Sequence, residues 1–286
     1  MRVFITGATG QLGSAIVSQF ADCDLVSPRH ADLDLGDDEA VRAAVERARP
    51  DVVVNCAAYN HVDAAEDHPL DALTLNAFAV RTLARAAQDV GATLVHYGSD
   101  FVFDGTASAP YDETAAPAPQ SLYGASKLLG EWMALAMPRA YVLRVESLFG
   151  TPRGFTGRTG SMESIARALE EGREVAVFND RIVTPGYVAD IAAATRHLVE
   201  SAAPAGLYHC ANGGPTRWTD LAEELAALLG VRPNIRAVAS ASVSLKARRP
   251  LYCALSTTKL AATGFAMPPW RDALKRWLAA RVEAPV

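Results

Sequence analysis

A glycine loop follows directly on the first apolar segment of the chain. The segment RVFIT has the β-branched and aromatic residues of a strand, and the run after the loop GATGQLG has helical apolar periodicity. Glycines at such a turn let the backbone approach a pyrophosphate, whose charge the free N–H groups of the helix N-terminus stabilise. A glycine turn alone is common, but strand, loop and helix in this order predict a dinucleotide site. The expected contacts are Gly7, Gly10, Gln11, Leu12 and Gly13.

The first 150 residues alternate short β-branched runs with longer amphipathic runs, the longest of which predicts a helix over residues 69–90. Continuously apolar strands separated by helices indicate a parallel sheet covered on both faces. The predicted fold class is therefore α/β, a Rossmann-type doubly wound parallel sheet. Its predicted strands are RVFIT, residues 25–26, DVVVNCAA, TLVHYGS and AYVLRV.

After Gly150 the regular alternation loosens. The stretch TPRGFTGRTG, residues 151–160, is expected to be a mobile loop. We predict a Rossmann domain over residues 1–150, to which part of 174–210 returns, and a smaller, partly interleaved substrate lobe made mainly of 151–286. Its predicted helices are 159–171, 188–201 and 217–229, and its predicted strands are 174–178, 207–210 and 235–238.

Composition and charge exclude several classes of protein. The 286 residues carry a net charge of −5 with acids and bases interspersed, and no basic stripe suggests a nucleic-acid partner. The four cysteines lie far apart without metal-binding spacing, so we expect core thiols in a reducing compartment and no metal site. No apolar run approaches the ~18 residues of a membrane span, and the stretch MRVFITGATG does not resemble a signal peptide. We expect a cytoplasmic protein that binds no membrane.

The residues after the second predicted strand bear on the choice of dinucleotide. NAD sites usually place an acid there, whereas NADP sites carry a basic or small residue. In LVSPRHADLDL, Ser27 and Arg29 come before the acids. We predict NADP(H), with NAD(H) as the alternative, and place Arg29 on the 2′-phosphate and Asp34 and Leu35 beside the adenine. The alternative for Arg29 is a solvated surface residue.

A tyrosine and a lysine lie four positions apart in SLYGASKLLGEWM, residues 121–133. This spacing puts Tyr123 and Lys127 on one face of a helix. The ordinary tyrosine pKa of about 10 is too high for efficient proton transfer at neutral pH, and a nearby lysine cation would lower it. Ser99 ends the predicted strand TLVHYGS, at the edge where doubly wound sheets place their sites, and its hydroxyl is suited to hydrogen-bond a substrate carbonyl.

An isolated Y-x-x-x-K pair is usually plain helix surface. Here it is combined with the glycine loop, the strand-end serine and a proline-rich loop, ASAPYDETAAPAPQ, that leads into the helix. We therefore predict Ser99, Tyr123 and Lys127 as the catalytic residues of a carbonyl reductase. A nicotinamide would supply hydride to carbon, and Tyr123 would supply the proton to oxygen.

Eight stretches, the glycine loop among them, follow one another from residue 1 to about residue 260: GATGQLG, VVVNCAAYNHVDAAED, HYGSDFVFDG, PYDETAAPAPQSLYGASK, VLRVESLFG, TPGYVADIA, GLYHCANGGPTRW and RRPLYCALSTTKL. Together they resemble the extended short-chain dehydrogenase/reductases, and within them the dTDP-4-dehydrorhamnose reductase family. The resemblance implies a Rossmann core, a nicotinamide cofactor and a nucleotide-activated 4-keto-6-deoxy sugar. It assigns the catalytic trio to Ser99, Tyr123 and Lys127. It also implies that Cys56, Ala57, Ala58 and Tyr59 line the cofactor. Tyr123 and Lys127 are expected to contact the cofactor as well, Lys127 at the nicotinamide ribose.

On the substrate side the chain departs from that family's pattern. The resemblance implies that Asn60, Val62, Phe101 and Ser147 face the sugar. Phe101 stands where the family has tyrosine, Ser147 where it has tryptophan, and Asn60 where it has threonine. The motif RRP implies a diphosphate contact for Arg248 or Arg249, the alternative being a surface arginine. The sugar itself is therefore left open.

The leading prediction is an NADPH-dependent reductase of a nucleotide-diphospho-4-keto-6-deoxy sugar. The alternatives are another reaction of the extended family, such as 4-epimerisation or dehydration, and a non-catalytic nucleotide-binding regulatory subunit. Asp100 and Phe101 follow Ser99 where a dehydratase would carry a glutamate, which disfavours dehydration. Trp132 and Met133 are expected to serve in packing or in the contact of a homodimer, since many members of the family pair through such helices.

Overall fold

The computed structural model describes residues 1–150 and 160–282. Of the predicted loop 151–160, residues 151–159 lie outside the described residues. The strands are β1 (Arg2–Thr6), β2 (Asp24–Val26), β3 (Val52–Asn55), β4 (Thr93–Ser99), β5 (Ala140–Val145), β6 (Leu148–Phe149), β7 (Val175–Phe178), β8 (Ile182–Val183), β9 (Gly186–Tyr187), β10 (Gly206–His209), β11 (Thr216–Arg217) and β12 (Ile235–Val238).

The α-helices alternate with the strands of the first half and cluster in the second. They are α1 (Gln11–Gln19), α2 (Asp38–Ala48), α3 (Pro69–Leu73), α4 (Ala79–Asp89), α5 (Leu122–Leu135), α6 (Ser161–Glu170), α7 (Val188–Glu200), α8 (Trp218–Leu229), α9 (Thr258–Ala261) and α10 (Trp270–Val282). A π-helical turn, Thr74–Phe78, joins α3 to α4, so the single helix predicted over residues 69–90 is interrupted. Short 3-10 helices occupy Ala64–Glu66, Asp100–Val102 and Ser240–Ser242.

A six-stranded parallel sheet forms the centre of the molecule, in the order β2-β1-β3-β4-β5-β10. Val3 of β1 is aligned with Leu25 on one side and with Val52 on the other. The chain moves outward from β1 to β2 and then returns to β3 on the opposite side of β1, which makes a switch point. The carboxyl ends of β1 and β3 therefore border a crevice of the kind in which doubly wound sheets bind ligands. The predicted fold class is confirmed.

Alternating side chains of the sheet enter two separate apolar layers. Val3 and Ile5 of β1 pack with Ile16 of α1 and with α7, whereas Phe4 packs on the other face with α2 and α4. The buried face of α4 arises from apolar residues spaced three or four apart, including Val80, Leu83 and Ala87. Helices thus cover both faces of the sheet, as the continuous apolar strands indicated.

The second half of the chain has its own apolar core, made from α6, α8 and α10. Leu221, Leu225 and Trp277 are fully buried in it, and β12 pairs with β7 beside it in parallel. The strand β10 instead joins the central sheet next to β5. The predicted boundary at residue 150 stays a prediction. Among the described residues, no helix combines the length and the apolar character needed to cross a bilayer.

Candidate functional site

The glycine loop between β1 and α1 is a close-packed turn. Gly7 has a φ of +66°, and a Cβ at this position would lie 2.6 Å from the main-chain nitrogen of Ala57. A Cβ on Gly13 would clash with the Gly7 carbonyl oxygen. Gly10 is the N-cap of α1 and gives its N–H groups no side-chain partner. The turn therefore presents backbone donors at a helix N-terminus, which fits the pyrophosphate of a dinucleotide.

Two adjoining cavities, of about 330 and 290 Å³, extend from this loop along the carboxyl edge of the sheet. They share Gly10, Cys56, Ala58 and Asn60, so together they form one elongated cleft. Of the predicted cofactor residues, the first cavity is lined by Gly10, Gln11, Leu12, Gly13, Cys56, Ala58, Tyr123 and Lys127. The second is lined by Gly7, Gly10, Arg29, Asp34, Leu35, Cys56, Ala57 and Ala58.

Arg29 lies at the far rim of the second cavity. Its side chain is 73% exposed and forms a 2.9 Å ion pair with Asp32. Exposed pairs of this kind contribute little to stability, about 0–1 kcal/mol, so an anionic ligand can compete for the guanidinium. Asp34 lies nearby and accepts a hydrogen bond from the Gly36 main chain. The predicted contact of Arg29 with a 2′-phosphate is compatible with this position and stays a prediction.

The first cavity brings together the three predicted catalytic residues, all of them buried. Ser121 caps α5 by accepting a hydrogen bond from the Gly124 main-chain N–H. The cap starts the helix just before Tyr123. Lys127, one turn later, donates a 2.6 Å hydrogen bond to the Tyr97 carbonyl of β4. Ser99 ends β4, where it caps a short helix by accepting a hydrogen bond from the Phe101 main chain. The carboxyl end of β4 and the N-terminal end of α5 thus meet at the catalytic residues.

Burial is the largest influence on the pKa values of Tyr123 and Lys127. It lowers the pKa of Lys127 to about 8, against the opposing effect of the nearby Glu131 carboxylate. It also raises the pKa of Tyr123 above its ordinary value, with a further contribution from Asp100, while hydrogen bonding by Ser99 acts in the opposite direction. The expected lowering of the Tyr123 pKa is therefore wrong for the unliganded protein. Burial of the phenol follows from the folded chain and not from the spacing of Tyr123 and Lys127, and it is the largest influence on this pKa.

A buried ion pair lies behind Lys127. Arg144 of β5 contacts both carboxylate oxygens of Glu131, with Nη2 2.8 Å from Oε2, and both side chains are at most 4% exposed. Glu131 comes one helical turn after Lys127, so the i, i+4 spacing was an available signal that sequence reasoning missed. Its carboxylate favours the charged form of the lysine.

The π-helical turn supplies another positioning residue that was missed. Asn76 accepts a 2.8 Å hydrogen bond from the Tyr59 main-chain N–H and donates to the Tyr59 carbonyl and to Ser126 on α5. It thereby ties the loop after β3 to the helix of the catalytic pair. The ring of Tyr59 packs edge-on against His61 and lies among apolar neighbours that include Tyr123. Tyr59 lines neither of the two cavities, so its predicted cofactor contact stays a prediction.

The predicted substrate residues fall into two places. Asn60, Val62, Phe101 and Ser147 all line the first cavity. The Phe101 ring stands edge-on to Tyr123, with centroids 5.3 Å apart. Ser147 has a backbone φ of +42°, which is unusual for a residue other than glycine. Arg249 instead lines a third cavity, of about 680 Å³, in the second half of the chain, where it forms a bidentate ion pair with Asp63.

Sequence reasoning also missed a buried polar cluster on the far side of Ser99. It contains Asp100, Glu146, Arg181 and Cys253, and the first two line the same cavity as Tyr123. Glu146 directly follows β5, just as Ser99 ends β4. A polar residue at the end of an apolar strand was thus the signal that could have pointed to it.

Comparison with known proteins gives consistent results. The curated dTDP-4-dehydrorhamnose reductase of Burkholderia thailandensis is 37% identical over 96% of this chain and 97% of its own length. That of Mycobacterium tuberculosis is also 37% identical, over 98% of this chain and 93% of its own. The crystal structure of dTDP-4-dehydrorhamnose reductase from Bacillus anthracis in complex with NADP superposes with a TM-score of 0.92, at 32% identity over 98% of this chain and 99% of that one.

A similar structure from Thermus thermophilus, a UDP-glucose 4-epimerase complexed with NAD, has a TM-score of 0.83 at 21% identity and so shows the shared fold alone. The family model described as the RmlD substrate binding domain matches residues 1–282. The match spans both halves of the molecule, including the glycine loop, the catalytic trio and the third cavity. The chain therefore belongs to the RmlD substrate binding domain family.

Proposed function

We propose that this protein is an NADPH-dependent reductase of the 4-keto group of a nucleotide-diphospho-6-deoxy sugar. One observation carries the proposal: the buried residues Ser99, Tyr123 and Lys127 line a cavity that continues into the glycine-loop cleft. A hydroxyl donor, a phenol and an ammonium group thus lie beside a site built for a dinucleotide. The names of the similar proteins support the same reaction.

The cleft supports NADP(H) as the cofactor. The glycine loop and the open N-terminus of α1 would hold the pyrophosphate, and Arg29 would bind the 2′-phosphate. When bound, the cofactor supplies the hydride. Arg29 lies at the rim, and its acidic neighbour Asp32 forms an ion pair with it. A basic residue at this position favours the phosphorylated dinucleotide over NAD(H).

Tyr123 supplies the proton. Because its pKa lies above the ordinary tyrosine value, the phenol is fully protonated at neutral pH and holds the proton that reduction consumes. Lys127, fixed to the Tyr97 carbonyl, would stabilise the phenolate as it forms through its positive charge. The Ser99 hydroxyl lies beside both the phenol and the cavity, where it can hydrogen-bond the substrate carbonyl. General acid catalysis of this kind accelerates a reaction by about 10²–10⁴-fold.

The third cavity supports a nucleotide diphosphate as the remote part of the substrate. It offers three guanidinium groups, those of Arg173, Arg181 and Arg249, and the aromatic rings of Phe178 and Trp218. Guanidinium groups bind phosphate oxygens in a bidentate manner, and aromatic faces suit a base. The sugar would then reach the residues Asn60, Val62, Phe101 and Ser147 beside Tyr123.

The test is an assay of NADPH and NADH oxidation with a panel of dTDP-, GDP-, UDP- and CDP-linked 4-keto-6-deoxy sugars. We expect NADPH-dependent turnover of at least one of them. Cofactor binding without any turnover would contradict the reductase and favour the non-catalytic regulatory subunit. Isomerisation without net cofactor oxidation would favour an epimerase.

Two further expectations belong to this proposal. Trp132 on α5 is 60% exposed, which supports its role in a homodimer, and Met133 beside it is partly buried. We also place the protein in the cytoplasm. Size-exclusion chromatography of wild type and Trp132→Glu tests the first expectation: the wild type should elute as a dimer and the variant as a monomer.

A further inference from the structure

The buried cluster beyond Ser99 holds two carboxyl groups that the reaction outlined above does not use. A carboxylate oxygen of Asp100, one of Glu146 and the Sγ of Cys253 lie within 4.8 Å of one another. All three residues are at most 4% exposed. The carboxyl groups are also in contact with the cavity that contains Tyr123, since Asp100 and Glu146 both line it.

The hydrogen bonds of the cluster lead toward the catalytic tyrosine. Ser99 Oγ donates to Asp100 Oδ1 over 3.0 Å, and Ser99 lines the same cavity as Tyr123, whose pKa its hydroxyl lowers. Glu146 Oε2 accepts from the main-chain N–H and the hydroxyl of Thr184, over 2.7 and 2.6 Å. Within the described part of the chain, the fully buried Oε1 of Glu146 has no hydrogen-bond partner. That oxygen is free to carry a proton.

The charges of the cluster balance when it holds one proton. The groups that face the two carboxyls are the Arg181 guanidinium, the Cys253 thiol and the phenols of Tyr252 and Tyr123. Two carboxylates against one guanidinium leave a net negative charge on buried groups, and one bound proton removes it. Burial raises the pKa of both carboxyls above the ordinary values, and the charge of Asp100 raises the Glu146 pKa further, against the opposing effect of Arg181.

The reductase needs a source for one proton in every turnover. Tyr123 gives up its proton to the new hydroxyl group and must recover one before the next cycle, although its side chain is buried. Lys127 donates one of its three N–H groups to the Tyr97 carbonyl. Ser99, which is hydrogen-bonded to Asp100 and lines the same cavity as Tyr123, offers a connection between the phenol and a group that can store a proton.

We propose that Asp100 and Glu146 share one stored proton and return it through Ser99 to Tyr123 after each turnover. This inference rests on the proposed reductase function. In the recovery step the phenolate oxygen of Tyr123 takes the Ser99 hydroxyl proton, and Ser99 takes the proton of the carboxyl pair. Two O–H bonds break and two form, Tyr123 is restored, and the pair is left as a dianion that regains its proton from solvent. Asp100 and Glu146 act through Ser99 and are positioning residues in this sense.

The variant Glu146→Gln tests the relay, since glutamine keeps an acceptor for Thr184 but cannot store a proton. A single turnover needs only the proton already on Tyr123, so its rate should stay close to that of the wild type. Later turnovers should slow roughly tenfold to a hundredfold, which stopped-flow measurement of NADPH oxidation would show as a burst. The wild type should show no burst.

A second measurement needs no cofactor or substrate. Infrared difference spectra of the unliganded wild type and Glu146→Gln should contain a protonated-carboxyl band at neutral pH in the wild type only. Asp190→Asn is the matched control, because Asp190 is also buried but pairs with Arg276 and Asn212 away from the site. This control should keep both the band and the burst-free kinetics, although it loses thermal stability.

Two results would overturn the relay: no protonated-carboxyl band in the wild type, or an equal slowing of first and later turnovers in Glu146→Gln. Equal slowing would mean that Glu146 merely supports the structure. Failure of every sugar nucleotide to react is a different result. It would overturn the reductase and its relay together, while the infrared band would still report whether the buried pair holds a proton.

Discussion

The ammonium group of Lys127 donates a 2.6 Å hydrogen bond to the main-chain carbonyl of Tyr97, two residues before Ser99 on β4. This bond fixes the helix of the catalytic pair to the strand that carries the third catalytic residue. The lysine charge, the tyrosine phenol and the serine hydroxyl therefore keep one arrangement without a bound ligand. Such preorganisation is what acid catalysis in a dry site requires.

Replacing Tyr123 by phenylalanine tests the proton donor. The variant keeps the ring that stands edge-on to Phe101 but lacks the acidic hydroxyl, so kcat should fall about 10²–10⁴-fold. The dissociation constant for NADPH, measured by fluorescence titration, should change little. Tyr208→Phe is the matched control: it removes a buried tyrosine hydroxyl, bonded to the Pro204 carbonyl, and should retain full activity. Unchanged turnover in Tyr123→Phe would contradict the assignment.

Lys127→Met should separate stability from activity. The folded pKa of about 8 lies below the ordinary lysine value, so below pH 8 the native protein carries a buried charge that costs free energy. Between about pH 8 and the unfolded value near 10.4, only the unfolded state stays charged, and wild-type stability rises. The variant should therefore exceed the wild type by roughly 1–2 kcal/mol at pH 7, even after loss of the hydrogen bond to Tyr97.

Urea unfolding at a series of pH values measures this difference. The advantage of Lys127→Met should shrink as the pH rises above 8, because the wild type then loses the buried charge on folding. Wild-type kcat should decline over the same range as Lys127 loses its proton, whereas the variant should be nearly inactive throughout. An advantage that stays constant from pH 7 to pH 10 would contradict the buried-charge explanation.

Patterns in the sequence sufficed for the sheet and for most of the cleft, since both depend on local order along the chain. The glycine loop, the apolar strands and the spacing of Tyr123 and Lys127 each indicate a local geometry. Parallel strands then bring their carboxyl ends to one edge of the sheet. The predicted strand 207–210 even appears as β10 in the central sheet. Predictions of this kind need no knowledge of distant contacts.

What sequence reasoning missed depends on contacts between distant segments. The cluster of Asp100, Glu146, Arg181 and Cys253 joins four separate parts of the chain, and no spacing rule links them. The raised Tyr123 pKa likewise follows from burial by the folded chain. The π-helical turn around Asn76 interrupts a run whose apolar periodicity predicts one continuous helix. Its reason lies in the tertiary contacts of Asn76 with Tyr59 and Ser126.

Arg29→Ala tests the choice of dinucleotide. Loss of a charged hydrogen bond to the 2′-phosphate should cost about 1.5–3 kcal/mol, which corresponds to a rise of roughly 10- to 100-fold in the KM for NADPH. The KM for NADH should stay within about twofold, since that cofactor lacks the phosphate. Arg236→Ala removes a similarly exposed arginine, paired with Glu174 on the surface, and should change neither value. Equal effects on both cofactors would place Arg29 outside the phosphate site.

The buried pair of Glu131 and Arg144 should show strong coupling. Arg144→Met leaves the Glu131 carboxylate buried without its cation, which should cost about 3–5 kcal/mol in the free energy of unfolding. The double variant Glu131→Gln/Arg144→Met removes the stranded charge, so it should recover a large part of that loss. Urea unfolding of the two single variants and the double variant gives the coupling energy directly.

The same set of variants reports on Lys127, whose charged form Glu131 favours. Glu131→Gln should lower the lysine pKa further and move the alkaline decline of kcat to lower pH. The exposed pair Arg236–Glu174 is the control, and its double-mutant cycle should give a coupling of no more than about 1 kcal/mol. Additive losses at Glu131 and Arg144, together with an unshifted pH profile, would show that the pair neither stabilises the core as a unit nor sets the charge of the catalytic lysine.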